Sequence, residues 1–207
     1  MMDMEQRSEE WFKARLGKAT GSRIWDIVAK TGKRWGSSRS SYAAQLIAQR
    51  LSGVVAPEYL SPSMVWGIET EGQARLAYGY WRDVDVKEVG FIDHPRILMS
   101  GASPDGLVGD DGLVEIKCPN TTTHIDMLLG CPVPTRYITQ MQWQMAVTGR
   151  SWCDFVSFDP RMPVPMTLFV MRVERDDARI CELETMVCEF LEEVDEKIEI
   201  LEMRKAI

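Results

Sequence analysis

A mixed α+β fold is predicted for this 207-residue chain. Three observations predict it. Helical patterns fill the N-terminal part. Strand-like segments cluster in the middle and return after one further helix. A long amphipathic helix closes the chain. The length suits a single domain. Hydrophobic residues make up 45% of the chain, enough for a sizeable core, and the 27% charged fraction is ordinary for a soluble protein.

The elements follow in order. "SEEWFKARLG" reads as a short helix, with Ser8 as N-cap, Glu9 and Glu10 at its positive end, and Gly17 after its last turn. "ATGSRIWDIVAK" reads as a second helix, with Thr20, Gly21 and Ser22 near its start, where unpaired N–H groups can hold an anion. "TGKRWGSSRSS" is a polar, basic loop, and "SYAAQLIAQRLSG" a third helix stopped by Gly53. "VWGIETEGQARLAYGYWRD" is helical, with Trp66, Ala74 and Tyr78 on roughly one face. "VKEVGFI", "ILMSGAS" and "LVEIKC" are strand-like. "TRYITQMQWQMAVTG" is a helix closed by Gly149. "CDFVSFD" and "MTLFVMRVE" are two more strands. In the last helix Ile180, Leu183, Val187, Phe190, Leu191, Val194, Ile198 and Leu201 recur at spacings of three and four, the pattern of a packing face. The single domain thus divides into a basic helical part at about 8–60, a core at about 61–175 and the packing helix at about 177–204.

Several classes are excluded. No apolar run approaches the roughly 18 residues of a membrane span. The acidic, polar N-terminus predicts no signal peptide, and a cytoplasmic protein is expected. The five cysteines contain no CxxC pair, which argues against a disulfide scaffold, a structural zinc site or an iron–sulfur cluster. The two histidines, His94 and His124, are not spaced as a ligand pair, and neither GxSxG nor GxxxxGK[ST] occurs.

The net charge of −7 is unevenly spread. From Trp11 to Arg50 there are nine Lys or Arg against one acid, whereas from Glu174 to Ile207 there are twelve acids against five bases. A basic first quarter suits a polyanion, with the acidic tail facing elsewhere; a solvated basic surface without a partner is the alternative.

The chemistry concentrates in "SGASPDGLVGDDGLVEIKCPN", residues 100–120. In "LVEIKC" the strand period of two puts Glu115 and Lys117 on one face and Val114 and Ile116 on the other. The "GDDG" turn folds the chain back, so a strand containing "GASPDG" can bring Asp105 to Glu115. Two close carboxylates repel unless a cation sits between them. A hard divalent ion supplies that charge and takes oxygen ligands, with the Ile116 C=O as a third. Lys117 is suited to polarise an attacking water or to stabilise charge on a phosphate. Each piece alone also fits a solvated sheet face or a turn. Together, D-x9-E-x-K around a glycine hairpin is a metal-nuclease pattern.

This segment resembles the PD-(D/E)xK nuclease core. Along most of its length the chain resembles the lambda-exonuclease-like, YqaJ-type viral recombinase family. The matching pieces occur in family order: "WFKARLGKATGS", "SYAAQLIAQRLSGVVAPE", "WGIETEGQAR", "SPDGL", "LVEIKCP", "YITQMQWQM", "FDPRM" and "VERD". The resemblance implies a restriction-endonuclease-like core, a central mixed sheet flanked by helices. It also implies a processive 5′→3′ exonuclease on linear double-stranded DNA, working as a ring-shaped homotrimer. Two Mg2+ per active site are implied, with Mn2+ as a substitute. Asp105 and Glu115 would hold metal and Lys117 would orient the water. Glu71 matches a further acid near the metals, its alternative being a helix-surface acid beside Glu69. Gln140 matches the glutamine after the catalytic strand, its alternative a partly exposed amide; Tyr137 is a weaker match. Arg15, Ser22 and Ser103 match a 5′-phosphate pocket. Met64 stands where the family carries an apolar wedge at the terminal base pair. The basic loop is shorter than in lambda-type members and lacks their arginine, so Lys33 or Arg34 would substitute. The family role implies a phage or prophage origin and a single-strand annealing protein as partner. Two other functions compete: a site-specific endonuclease on the same core, and a non-catalytic module that binds DNA ends.

Overall fold

The computed structural model describes residues 5–32, 34–55 and 60–205. Lys33 lies outside the described residues. The chain opens with α1 (Glu9–Arg15), where the Ser8 hydroxyl accepts the Trp11 N–H at 3.2 Å. Next come β1 (Ala19–Thr20), a 3-10 turn (Gly21–Arg23), α2 (Ile24–Val28), β2 (Lys30–Thr31), β3 (Arg34–Trp35) and α3 (Ser37–Ser52). The long α4 (Pro62–Arg82) is capped by Ser61. Then follow β4 (Val86–Lys87), β5 (Ile92–Asp93), β6 (Ser100–Ala102), β7 (Gly106–Val108), β8 (Gly112–Lys117), α5 (Thr121–Leu128), α6 (Thr135–Thr148), β9 (Trp152–Phe158), β10 (Leu168–Glu174) and α7 (Asp177–Lys205).

The central sheet is mixed, in the order β10-β9-β8-β7-β4. β8 and β9 run parallel, and α5 and α6 make the long crossover that a parallel pair requires. The period of two then divides β8 between two cores. Val114 and Ile116 face α4, packing with Ala74, Tyr78 and Val156. Leu113 faces α6, packing with Met141, Met145 and Phe155. A third cluster gathers α2, α3, α6 and α7 around Trp143, Leu183, Val187 and Phe190. Each of those buried α7 side chains contributes about 1.5–3 kcal/mol of apolar burial.

Four expectations are corrected. The second helix is much shorter than its sequence pattern: Ala19 and Thr20 pair in parallel with Ser100 and Gly101 instead. Gly21 lies so close to that strand that a Cβ there would sit 3.3 Å from the Ala102 methyl. Backbone pairing with β6 thus overrides local helix pattern. "VKEVGFI" splits into β4 and β5, which belong to different sheets. The strand beside β8 is β7, not one running through "GASPDG"; β6 pairs with β1 and β5. Pro104 has no N–H to continue a ladder, and the chain changes sheets there. Finally, the acidic tail does not simply face away from the basic part. Arg39 Nη2 meets Glu193 Oε1 at 2.6 Å, and Arg50 pairs with Asp195, so α7 neutralises part of the α3 charge.

Candidate active site

Asp105 lies in the crossing between the two sheets, and its Oδ2 accepts the Ile116 N–H at 2.7 Å. That bond pins the loop to the middle of β8. The following Gly106 is required by contact: a Cβ there would lie 2.2 Å from Val86 Cγ1 and 3.0 Å from Val114. Glu115 is fully buried and points toward α6, as its alternation with Val114 and Ile116 demands. Its Oε1 accepts from Lys117 Nζ, and its Oε2 accepts from Gln144 Nε2 at 2.6 Å. The Lys117 ammonium also lies 5.2 Å from the Tyr137 ring centre. Tyr137 stacks on Phe155 at 5.8 Å, and its hydroxyl accepts from Arg136 at 2.8 Å. Asp110 and Asp111 are exposed turn residues.

Glu71 reaches the same neighbourhood from α4, held by Arg75 at 2.7 Å and by Arg7 at 3.6 Å. Arg75 also donates to the main-chain oxygen of Asp105 at 2.9 Å. One guanidinium thereby fixes both Glu71 and the Asp105 backbone.

The electrostatics are those of crowded acids. Burial, then the charge of Glu115, pushes the Asp105 carboxyl well above the usual carboxylate range. Burial works to lower Lys117, but the charges of Glu115 and Asp105 outweigh it and raise the ammonium, which stays protonated. Burial, then Glu71 and Asp105, pushes the neighbouring Cys118 thiol up to about 12. A divalent cation would relieve this excess of negative charge. Among the described residues no three His, Cys, Asp or Glu side chains converge on one point. Asp105 and Glu115, with the Ile116 carbonyl, would give a metal only a few protein oxygens, a donor set Mg2+ accepts because it keeps several waters and shares its coordination with substrate phosphates.

Two residues upstream of Asp105, Ser103 Oγ accepts from Trp11 Nε1 at 2.9 Å and from Arg15 Nη1 at 3.3 Å. The Arg15 guanidinium lies 3.9 Å over the Trp11 ring. Arg15 and Ser22 line one cavity of about 160 Å³, together with Trp11, Lys18, Thr20 and Tyr42. Gln6 donates to the Pro104 carbonyl at 2.9 Å, fastening the N-terminal segment across the same loop. The structure thus joins Arg15, Ser22 and Ser103 to the Asp105 loop. α2 has only five residues, so the chain after Ser22 offers no extended helix terminus for an anion.

Three other sequence-predicted residues take their places on α6, α4 and β3. Gln140 is half-buried on α6, one turn before Gln144. Met64 is exposed in the first turn of α4. Arg34 is exposed on β3. Sequence reasoning missed Gln144 and Arg75. The signal for Gln144 was a polar residue sharing a helical face with Met141 and Met145; for Arg75 it was the i,i+4 spacing from Glu71.

The model of the YqaJ-like viral recombinase domain matches residues 10–151, well over half of the chain. The structure is similar to that of an alkaline exonuclease (LHK-Exo) from Laribacter hongkongensis. Identity is 51%, coverage 96% of this chain and 98% of that one, and the TM-score 0.90. It is equally similar to LHK-Exo in complex with dAMP, at 52% identity, the same coverage and TM-score 0.90. A phage-related exonuclease from Haemophilus somnus 129PT shares the fold at 16% identity, with 89% of this chain and 96% of that one covered and a TM-score of 0.68. No curated protein sequence matches the chain.

Proposed function

This chain belongs to the YqaJ-like viral recombinase family, and on that premise we propose that it is a Mg2+-dependent 5′→3′ exonuclease on linear double-stranded DNA. It digests the 5′-phosphorylated strand to mononucleotides and leaves 3′ single strands. One observation carries the proposal: the fully buried Glu115, with the half-buried Asp105 and Lys117 beside it, and the Arg15–Ser103 pocket are joined by a two-residue step of one loop. The likeness to an alkaline exonuclease over nearly the whole of both chains supports it.

Asp105, Glu115 and the Ile116 carbonyl would hold the metal. When bound, divalent cations supply Lewis-acid stabilisation of the phosphoryl oxygens and a water acidic enough to attack. Lys117, kept cationic by its acid neighbours, orients that water and faces the charge that develops on the phosphate. Glu71 adds a further carboxylate and Gln140 a polar contact from α6. Arg15 grips the terminal 5′-phosphate, with Ser22 and Ser103 completing the pocket, since a guanidinium suits phosphate geometry. Because the pocket adjoins the acids, a terminal phosphate held there sets which phosphodiester reaches them, and this gives direction. Met64 wedges the terminal base pair, and the exposed Arg34, with Lys33, meets the DNA backbone.

The working form is a homotrimeric ring that encloses DNA and makes digestion processive. The place of action is a bacterial host cytoplasm, and the partner there is a single-strand annealing protein. The test compares 5′-phosphorylated linear duplex, 5′-hydroxyl linear duplex and covalently closed circles. Rapid digestion of the first alone is expected. Efficient cutting of the closed circles would make the protein an endonuclease.

A further inference from the structure

We propose that Gln144 is a positioning residue for the metal-binding carboxylate of Glu115; this rests on the metal assignment above. Gln144 is 1% exposed, on the α6 face that covers β8. Its Nε2 donates to Glu115 Oε2 at 2.6 Å, while its Oε1 is buried with no hydrogen-bond partner among the described residues. The two halves of the amide are therefore treated differently. An orphaned buried acceptor costs stability. Met141 and Met145 flank the position on the same face, and a methionine there would avoid that cost. The gain from the amide lies in what its N–H does for Glu115.

The amide can take only one orientation. Flipped, its oxygen would face a carboxylate oxygen across a hydrogen-bond distance. The Thr148 hydroxyl donates to the Gln144 main-chain oxygen at 2.8 Å, adding a further tie to this turn of α6. With Lys117 on Oε1 and Gln144 on Oε2, the Glu115 carboxylate is held at both oxygens. A carboxylate offers about four lone-pair sites, so two donors fix its plane and leave sites for a cation. Charge matters equally. A Lys or Arg at 144 would also donate, but it would cancel the negative charge that attracts a divalent ion. A neutral amide orients the carboxylate and leaves its charge in place. Ligating carboxylates held in this way lose about 10–100-fold in metal affinity or activity when the outer partner is removed.

The test is a calorimetric Mn2+ titration of the full chain, without DNA, for wild type, Gln144→Met, Gln144→Asn and Asp105→Asn. Met matches the volume without a donor. Asn keeps the amide but is one methylene too short to reach Glu115. Both should weaken Mn2+ binding by about 10–100-fold, and nuclease rate at saturating Mn2+ should fall by a smaller factor than affinity. A folded Gln144→Met that binds Mn2+ like wild type overturns the proposal; should that variant fail to fold, Gln144→Asn decides by the same criterion. Wild type binding Mn2+ no better than Asp105→Asn would instead overturn the metal assignment, and the role of Gln144 with it.

Discussion

Two buried acid clusters sit on opposite faces of the same central sheet, and they are built in opposite ways. On the α4 face, Asp154 is fully buried and heavily supplied with donors. Tyr78 donates at 2.8 Å, Arg172 at 2.8 and 3.2 Å, and Arg82 at 3.1 Å. Burial alone would raise its carboxyl, but the hydrogen bonds from Arg172 and Tyr78 hold it below the usual range. On the α6 face, the half-buried Asp105 has, among the described residues, one backbone donor and shares the field of one ammonium with Glu115, and its carboxyl is pushed up. A satisfied acid ties α4, β9 and β10 together. An under-satisfied one stores unfavourable charge that a cation can release. The fold surrounds Asp154 with three donor side chains, which makes the sparser set of partners at Asp105 among the described residues informative.

The comparison is broken most severely by neutralising the under-satisfied cluster. Asp105→Asn or Glu115→Gln should lower cleavage by on the order of 10³-fold or more, because metal-centred charge stabilisation supplies several kcal/mol. Without divalent metal, the same Asp105→Asn should raise stability by about 0.5–2 kcal/mol, as relief of like-charge crowding at a functional site does. Urea denaturation in chelator checks it, and a destabilised Asp105→Asn would show that the crowding is not unfavourable. Calcium, which accepts looser geometry than Mg2+, should bind without supporting turnover; a calcium-supported rate matching magnesium would count against the assignment.

A smaller effect is expected at the pocket. Arg15→Ala should reduce the preference for 5′-phosphorylated over 5′-hydroxyl ends by about 10–100-fold, since hydrogen bonds to charged groups contribute roughly 1.5–3 kcal/mol. Competition between the two end types in one reaction reads this ratio directly.

The smallest effect on chemistry is expected at the satisfied cluster. Asp154→Asn should cost about 1–3 kcal/mol of stability and leave the cleavage rate of the folded protein near wild type. The pH dependence follows from the depressed carboxyl. Its stabilisation is complete above the unfolded value of about 3.9 and is lost as pH falls through the lower folded value. The stability gap between wild type and Asp154→Asn should therefore be wide at pH 7 and shrink in acid. Asp159 behaves alike: burial opposes its charge, but Arg161 and Thr121 hold its carboxyl down to about 2, so its contribution survives to lower pH.

What could be read from the sequence follows the same divide. Glu115 and Lys117 were legible because strand period alone places them on one face, and Asp105 because a glycine turn returns it to them. The long closing helix was legible from its apolar spacing. Asp154 was not, because it sits in the strand-like "CDFVSFD" and its partners come from two distant elements. Gln144 was hidden for the same reason: only the packing of α6 on β8 shows which of three glutamines reaches Glu115. α5 went unseen because three threonines obscure its helical pattern. Its Asn120 cap, and His124 bonded to Ser157 and the Met166 carbonyl, become visible only in the fold. The pairing of Arg39 with Glu193 likewise joins α3 to the distant α7 and has no local trace.

The most direct test follows release of label from a 5′-³²P-labelled linear duplex by wild type and Asp105→Asn, each with Mg2+ and with chelator. The account predicts that wild type with Mg2+ releases labelled mononucleotide and that the other three reactions release essentially none. Release by Asp105→Asn at the wild-type rate, or by wild type in chelator, would contradict it.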